Sequence, residues 1–342
     1  MSTVILQVGQ CGNQIGKELW TVMNSDKANK LGIRPANIHG RRRGSGTNWA
    51  LGYYGSNVAE EDSLLKCTMD AIRKEVERCS SFSGFIMLHS ISGGTGSGLG
   101  SRLCEVLGDE YSDCILWFHN DEILERLQRR SSKHPEVGVS YVTMNQHIAK
   151  CLAGLILPTD TLTARSGISI GQEPWELVRS VTPLPAQKFL LVNNLTKRNS
   201  SWENIIGSLN QELKKHDEDG KPYSSLSNLM VVRGHSMDSF TQQWKATEKR
   251  VKTAYNCVKW NPFPVEYWTA QDNSGTSAVT MAANHSSITD HLSLIGFSAR
   301  LKYDAKAYLH WYEKYGCEQS DFDDAFTVLN DCIQAYTEMV GR

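Results

Sequence analysis

Short apolar runs and stripes of helical period alternate along the first third of the chain. Thr3 to Val8 is rich in β-branched residues and predicts a buried strand. Gly9-Gln10-Cys11-Gly12 follows, and then Ile15, Leu19, Val22 and Met23 fall on one helical face. Leu65, Met69, Ile72 and Val76, spaced 4, 3, 4, predict a second amphipathic helix. Gly84 to Ile91 reads as a strand, Ser92 to Gly98 as a glycine-rich turn, and Leu99, Leu103, Val106 and Leu107 as a third helix. Cys114 to Phe118 is a further strand. Helices alternating with strands in this way predict an α/β fold with a mostly parallel sheet.

Residues 141–157 predict one long helix through Met144, Ile148, Cys151, Leu152 and Leu155, stopped by Pro158, with a loop over 159–171. Two later strands, 189–192 and 229–232, bracket a helix over 202–213. Ala305 to Tyr315 reads as helix ending at Gly316, and Phe322, Phe326, Leu329, Ile333 and Tyr336 repeat at helical spacing. At roughly 100–200 residues per domain, 342 residues make two or three domains. Lys plus Arg number 36 and Asp plus Glu 37, a balance that argues against broad nucleic-acid binding. The nine cysteines are scattered, with no CxxC pair. A disulfide framework or zinc ribbon is therefore not expected, and a reducing cytoplasm is. No apolar run reaches the length of a bilayer span, and the first residues carry no secretory signal, so no membrane partner is expected.

The strongest chemical signal is Ser92-Gly93-Gly94-Thr95-Gly96-Ser97-Gly98 at a strand–helix junction. Glycines there let backbone approach an anion, the first N–H groups of the helix face it, and Thr95 and Ser97 add hydroxyl donors. No Gly-Lys-Ser/Thr closes the loop and no register satisfies GxGxxG, which excludes the two commonest phosphate fingerprints. A flexible turn without ligand is the bland alternative. Gly9 to Gly12 stands at a second junction and taken alone reads equally well as a tight turn. In a parallel sheet the two bends face one crevice.

Gly9 to Gly16 resembles the first phosphate loop of the tubulin family, Ser92 to Gly98 its signature loop, and Gly44-Ser45-Gly46-Thr47-Asn48-Trp49-Ala50 its third nucleotide loop. Ala307 to Tyr312 resembles its late helical hairpin. The motifs recur in family order over nearly the whole chain. Ser80 to Phe85, with Ser92 in place of the first signature glycine, is most similar to the delta branch, the zeta branch being the close rival. The resemblance implies a Rossmann-like parallel-sheet GTP-binding domain (residues 1–140), a core helix (141–158), a mixed α+β intermediate domain (159–284) and a C-terminal helical hairpin (285–342). It implies GTP as ligand, with Gln10 and Cys11 at the phosphates, Ser45 and Thr47 toward the γ-phosphate, and Gly93, Gly94, Thr95, Gly96 and Ser97 wrapped around them. Thr47 replaces a family asparagine. Asn120 and Asn145 match the asparagines that read guanine, and Tyr141 matches the tyrosine that stacks on the base. Without the family, Tyr141 and Asn145 are an ordinary i, i+4 pair on a helix surface.

Glu176 matches the acid that orients water at the GTP of a neighbouring subunit, a role a carboxylate suits; a plain surface carboxylate is an equal reading. The preceding Gly171-Gln172-Glu173 departs from the family pattern. Two family segments are missing: the strand, helix and magnesium-holding acidic loop between Ile33 and Gly44, and the ribose-contacting loop and helix between Cys114 and Trp117. Magnesium is thereby in question, and no metal ligands are expected. Arg41-Arg42-Arg43 reads as a solvated loop before it reads as a phosphate grip, and Lys197 and Arg198 fall where the family makes lateral contacts. The resemblance implies a GTP-binding structural protein of centrioles and basal bodies, in the cytoplasm and cytoskeleton, with other tubulins as head-to-tail partners and a candidate GTPase activity completed at a subunit interface. A stand-alone GTPase switch and a non-functional shortened isoform are the alternatives.

Overall fold

The computed structural model describes residues 2–24, 33–40, 44–55, 63–108, 113–131, 138–159, 161–162, 174–235, 237–272 and 275–341. The chain forms two units, one of Met1–Ser112 with Gly296–Val328, the other of Asp113–Ile295 with Leu329–Arg342. Arg41–Arg43 and Gly171–Glu173 lie outside the described residues.

The first unit opens with β1 (Ser2–Gln7) and α1 (Gly9–Met23), followed by α2 (Trp49–Tyr54), α3 (Leu64–Arg78), β2 (Phe82–Leu88) and α4 (Gly100–Leu107). One wide π turn, Thr95–Leu99, leads into α4. β1 and β2 run parallel, in register from Thr3 opposite Gly84 to Gln7 opposite Leu88. Leu6, Val8, Phe85 and Met87 pack with Leu65, Met69, Ile72 and Val76 of α3 and with Leu99, Leu103 and Leu107 at α4. The 4, 3, 4 stripe thus buries where its spacing points. α3 starts at Ser63, whose side chain accepts the Lys66 N–H and replaces one of the missing intrahelical acceptors.

The second unit contains β3 (Ile115–Trp117), α5 (Asn120–Ser131), α6 (Tyr141–Ile156), β4 (Thr161–Leu162), α7 (Pro174–Val181), β5 (Phe189–Arg198), α8 (Trp202–Gln211), β6 (Ser225–Gly234), α9 (Met237–Ala254), β7 (Val265–Gln271) and β8 (Thr276–His285). Its sheet has the order β3-β5-β8-β6-β7-β4. The β3/β5 and β6/β7 pairs are parallel and the other three antiparallel. The fold is therefore α/β with mixed sheets, and the 114–118 strand joins this second sheet rather than the β1/β2 pair. Alternate residues of β6 divide between two cores. Met230 and Val232 meet α8 and α9 through Ile205, Leu209, Phe240 and Trp244, while Leu229 and Val231 join Cys151 and Leu155 of α6 and Val181 of α7. Both faces covered explains the unbroken apolar run of this strand.

The chain ends with α10 (Ile288–Asp304), α11 (Leu309–Glu313) and α12 (Gln319–Gly341). Sequence periodicity predicts one helix over 305–315. The structure breaks it, because Lys306 and Tyr308 take φ values of +51° and +65°. In the second unit Tyr336 is fully buried. Its hydroxyl accepts the Phe189 N–H at 3.0 Å and lies 3.0 Å from Asn284 Oδ1, the acceptor best placed for its own proton. Asn284 Nδ2 in turn donates to the carbonyls of Val181 and Gln187.

Tyr336→Phe is expected to leave the Phe189 amide and the Asn284 carbonyl oxygen short of a partner, lowering stability by about 1–3 kcal/mol, measured as a lower urea midpoint at unchanged slope. A pH effect follows from His147 on α6. Burial first, then the charges of Arg130 and Arg126, push its pKa down from 6.5 to about 3, against the pull of Glu212. A folded value below the unfolded one means that neutral His147 contributes stability fully above about pH 6.5, and this is lost as pH falls toward 3. His147→Leu cannot be protonated, so the urea midpoint of the wild type is expected to fall faster between pH 7 and pH 4 than that of the variant.

Candidate functional site

In the first unit the two glycine-bearing bends touch. The chain leaves β1 through Gly9 at φ +74°, a conformation that a Cβ disfavours. A methyl group at Gly9 would also lie 2.8 Å from both the Cα and the N of Gly96. Backbone thus lies against backbone between the start of α1 and the 92–98 loop. On its other side that loop meets residues 44–50. A methyl group at Gly94 would lie 2.7 Å from Ser45 Cβ and 2.9 Å from the backbone N and O of Asn48. The Ser45 and Thr95 hydroxyls are 3.2 Å apart. Within the loop, Gly98 N–H donates to Gly94 O at 2.8 Å, Ser97 Oγ donates to Gly93 O, and His89 Nδ1 lies 3.1 Å from Gly96 O. Three loops far apart in sequence are held as one piece.

These loops stand at one end of a cleft of about 1580 Å³ within the first unit. Gln10, Ser45 and Thr95 line it, as do Gly9, Asn13 and Gly44. Every residue from Thr3 to Gln10 faces it, so both faces of β1 contribute to the wall. Gln7 and Trp20 also line it, and their buried donors, Gln7 Nε2 and Trp20 Nε1, have no acceptor among the described residues. Gln10 is exposed and Cys11 half-buried, with its thiol pKa raised by burial. Thr47 is exposed at φ +60° and, with Cys11, Gly93, Gly94, Gly96 and Ser97, does not line the cleft; Gly94, Gly96 and Ser97 are buried, so of the 92–98 loop it is Thr95 that lines the cleft. The exposed Gln10 amide and the Ser45 and Thr95 hydroxyls are the groups of the predicted set that line the cleft, and donors of this kind beside a helix start suit an anion. Among the described residues no group of three or more His, Cys, Asp or Glu gathers as a metal site.

Asn120, Tyr141 and Asn145 belong to the second unit. Asn120 opens α5 and is exposed. α6 is capped by Ser140, whose side chain accepts the Thr143 N–H while Thr143 answers it, a reciprocal capping box. Tyr141, the first residue of α6, is 75% exposed, and Asn145 follows one turn later, half-buried. Below them α6 is buried on Met144, His147, Ile148 and Cys151, which fixes the direction of its free end. α5 is fixed by Arg130, paired with Glu212 at 2.6 Å and donating to Asn194 O at 2.9 Å. Burial would raise the Glu212 pKa, but the hydrogen bonds and charge of Arg130, with Asn193 and Arg126, hold it below the usual carboxylate range.

Glu176 sits on α7 and is only 1% exposed. Its carboxylate lies inside the second unit rather than on a surface, so action on a neighbouring subunit requires α7 to repack. Lys197 spends its amine on Ser208 Oγ of α8 at 3.1 Å. Motif matching gives no role to Asn48, which the structure ties to two other segments of the first unit. Its side chain accepts the Leu51 N–H at 3.1 Å, capping α2, and donates to Trp311 O at 3.0 Å. An asparagine directly before an apolar helical run is the sequence signal for that cap.

The model of the Tubulin/FtsZ family, GTPase domain, matches residues 22–120. That stretch holds Ser45, Thr47, the 92–98 loop and Asn120; Gln10 and Cys11 precede it and Tyr141 and Asn145 follow it. The tubulin delta chain of Macaca fascicularis is 26% identical over 467 residues, covering 99% of this chain and 100% of its own. The tubulin delta chain of Homo sapiens is 24% identical over 469 residues with the same coverage. The tubulin beta-1 chain of Colletotrichum graminicola is 24% identical over 434 residues, covering 97% and 94%. An alignment of 467 residues exceeds the 342 of this chain, so it crosses stretches of the relative that have no counterpart here. With relatives matching from end to end, and with a GTPase-domain match that contains the close-packed 92–98 loop, the chain is similar to tubulins along its whole length.

Proposed function

We propose that the protein binds GTP and serves as a structural component of microtubule-based assemblies. The observation that carries this reading is the backbone contact of Gly9 with Gly96, together with the Ser45–Thr95 hydroxyl pair, along the wall of one cleft. Donors from Gln10, Ser45, Thr95 and the amides of 93–97 would take the phosphates. Asn120 and Asn145 would read guanine, whose edge offers both donors and acceptors to an amide, and Tyr141 would supply stacking area. Cys11 and Thr47 would pack beside the phosphates. The likeness to delta chains supports a place in centrioles and basal bodies, with other tubulins as head-to-tail partners. Such contacts are heterologous and build open filaments. If Glu176 takes part in hydrolysis, it does so after α7 moves at an assembled interface, so the isolated chain holds GTP without rapid turnover.

Titration of the purified chain with a fluorescent GTP analogue tests this. Saturable binding is expected, displaced by GTP and not by ATP at about a hundredfold excess, and Thr95→Ala is expected to weaken it about tenfold, the worth of one hydrogen bond to a charged group. Equal displacement by ATP, or no saturable binding, would overturn the reading.

A further inference from the structure

We infer that Asn48 is a positioning residue that couples occupancy of the phosphate loops to helix α11. The inference rests on the nucleotide reading of the 92–98 loop. Asn48 is connected in three directions within the first unit. Its backbone lies flush on Gly94, with no room for even a methyl group between them. Its N–H donates to Ser45 O at 2.9 Å and its carbonyl accepts the Gly52 N–H at 3.2 Å, so the 44–50 loop moves as one turn with α2. Its side-chain Nδ2 reaches the carbonyl of Trp311. A shift of the 92–98 loop on taking up a polyphosphate therefore has no slack to absorb it before Asn48, and beyond Asn48 the next group in line is α11.

The receiving segment is built to respond. α11 is five residues long, anchored by buried Leu309. The residues leading into it, Lys306 and Tyr308, hold left-handed backbone at φ +51° and +65° without being glycine, and Thr47 beside Asn48 does the same at +60°. Such residues carry strain and persist only while their surroundings hold them. The Asn48–Trp311 hydrogen bond joins the two strained segments. α11 ends the relay on a surface, because Tyr308 is 66% and Trp311 48% exposed.

Hydrogen–deuterium exchange on the full chain, with and without saturating GTP, tests the coupling. In the wild type, GTP is expected to slow exchange about fivefold or more in both the 92–98 loop and residues 309–316. Asn48→Ser keeps a cap acceptor for α2 but is too short to reach Trp311. At saturating GTP its 92–98 loop is expected to stay protected while 309–316 exchanges as in the nucleotide-free protein. Asn48→Asp keeps the acceptor and removes the donor, and is expected to behave alike should the serine variant not fold. Protection of the loop without any change at 309–316 in the wild type would overturn the coupling and leave the nucleotide reading standing. Undiminished protection of 309–316 in the variants would do the same. No GTP-dependent protection anywhere in the wild type would overturn the nucleotide reading and the coupling with it.

Discussion

Two stretches of polypeptide backbone can lie in van der Waals contact only where neither interposes a side chain. The organisation of the first unit follows from this at Gly9 and Gly96. The contact sets the bend after β1 against the loop after β2, and the parallel register of the two strands delivers both loops to the same end of the sheet. The first turn of α1 obeys the same rule, since Gly12 stands directly against the Leu88 carbonyl. Within the 92–98 loop the carbonyls of Gly93, Gly94 and Gly96 are taken up internally against Ser97, Gly98 and His89. The free N–H groups at a helix start are donors of the kind that suit an anion held through several oxygens.

The second unit solves a different problem. Its candidate base-reading residues sit on helix ends, and a helix end is placed only as well as the rest of its helix is packed. α6 is buried over most of its length, and Gly154 near its C-terminus stands directly against the Thr280 side chain of β8. α5 is held instead by charge, through the half-buried Arg130–Glu212 pair with Asn193 and the Asn194 carbonyl closing the network. A half-buried, bidentate arginine–carboxylate pair with its remaining sites satisfied gives direction as well as energy. Apolar packing thus orients Tyr141 and Asn145, and a polar network orients Asn120.

Much of this was legible in the sequence. The strand at Thr3–Val8, the helices at 65–76, 141–157, 202–213 and 322–336, and both glycine bends follow from period and turn chemistry, since each is a local property. What escaped was either non-local or locally disguised. β3 reads as a strand from its own residues, but its pairing with β5 is decided by residues 74 positions away. α9 gives a weaker sequence signal because its surface is polar around four buried positions, Phe240, Trp244, Thr247 and Val251, spaced 4, 3, 4. The break before α11 depends on left-handed Lys306 and Tyr308, residue types that ordinarily signal nothing of the kind. Glu176 has the composition of a surface carboxylate and the burial of a core residue. Asn48 belongs to the 44–50 motif, but its link to Trp311 spans 263 positions, beyond the reach of spacing arguments.

The economy of the first unit bears on how it would use a ligand. Among the described residues its sheet is one parallel pair, and all six residues of β1 are only half-buried beside the cleft. A two-stranded sheet supplies little independent stability, so α3 and α4, packed through Ile72, Leu99 and Leu103, carry a disproportionate share of the core. The second unit, with a six-stranded sheet covered on both faces, has no such shortage. A ligand that binds the folded form alone adds its binding free energy to stability. The addition matters most where the intrinsic core is smallest. The loops that would hold the phosphates are the same loops that tie β1, β2 and the 44–50 segment together through Gly9, Gly96, Ser45 and Thr95. Filling the cradle would therefore reinforce the contacts on which the smaller unit already depends.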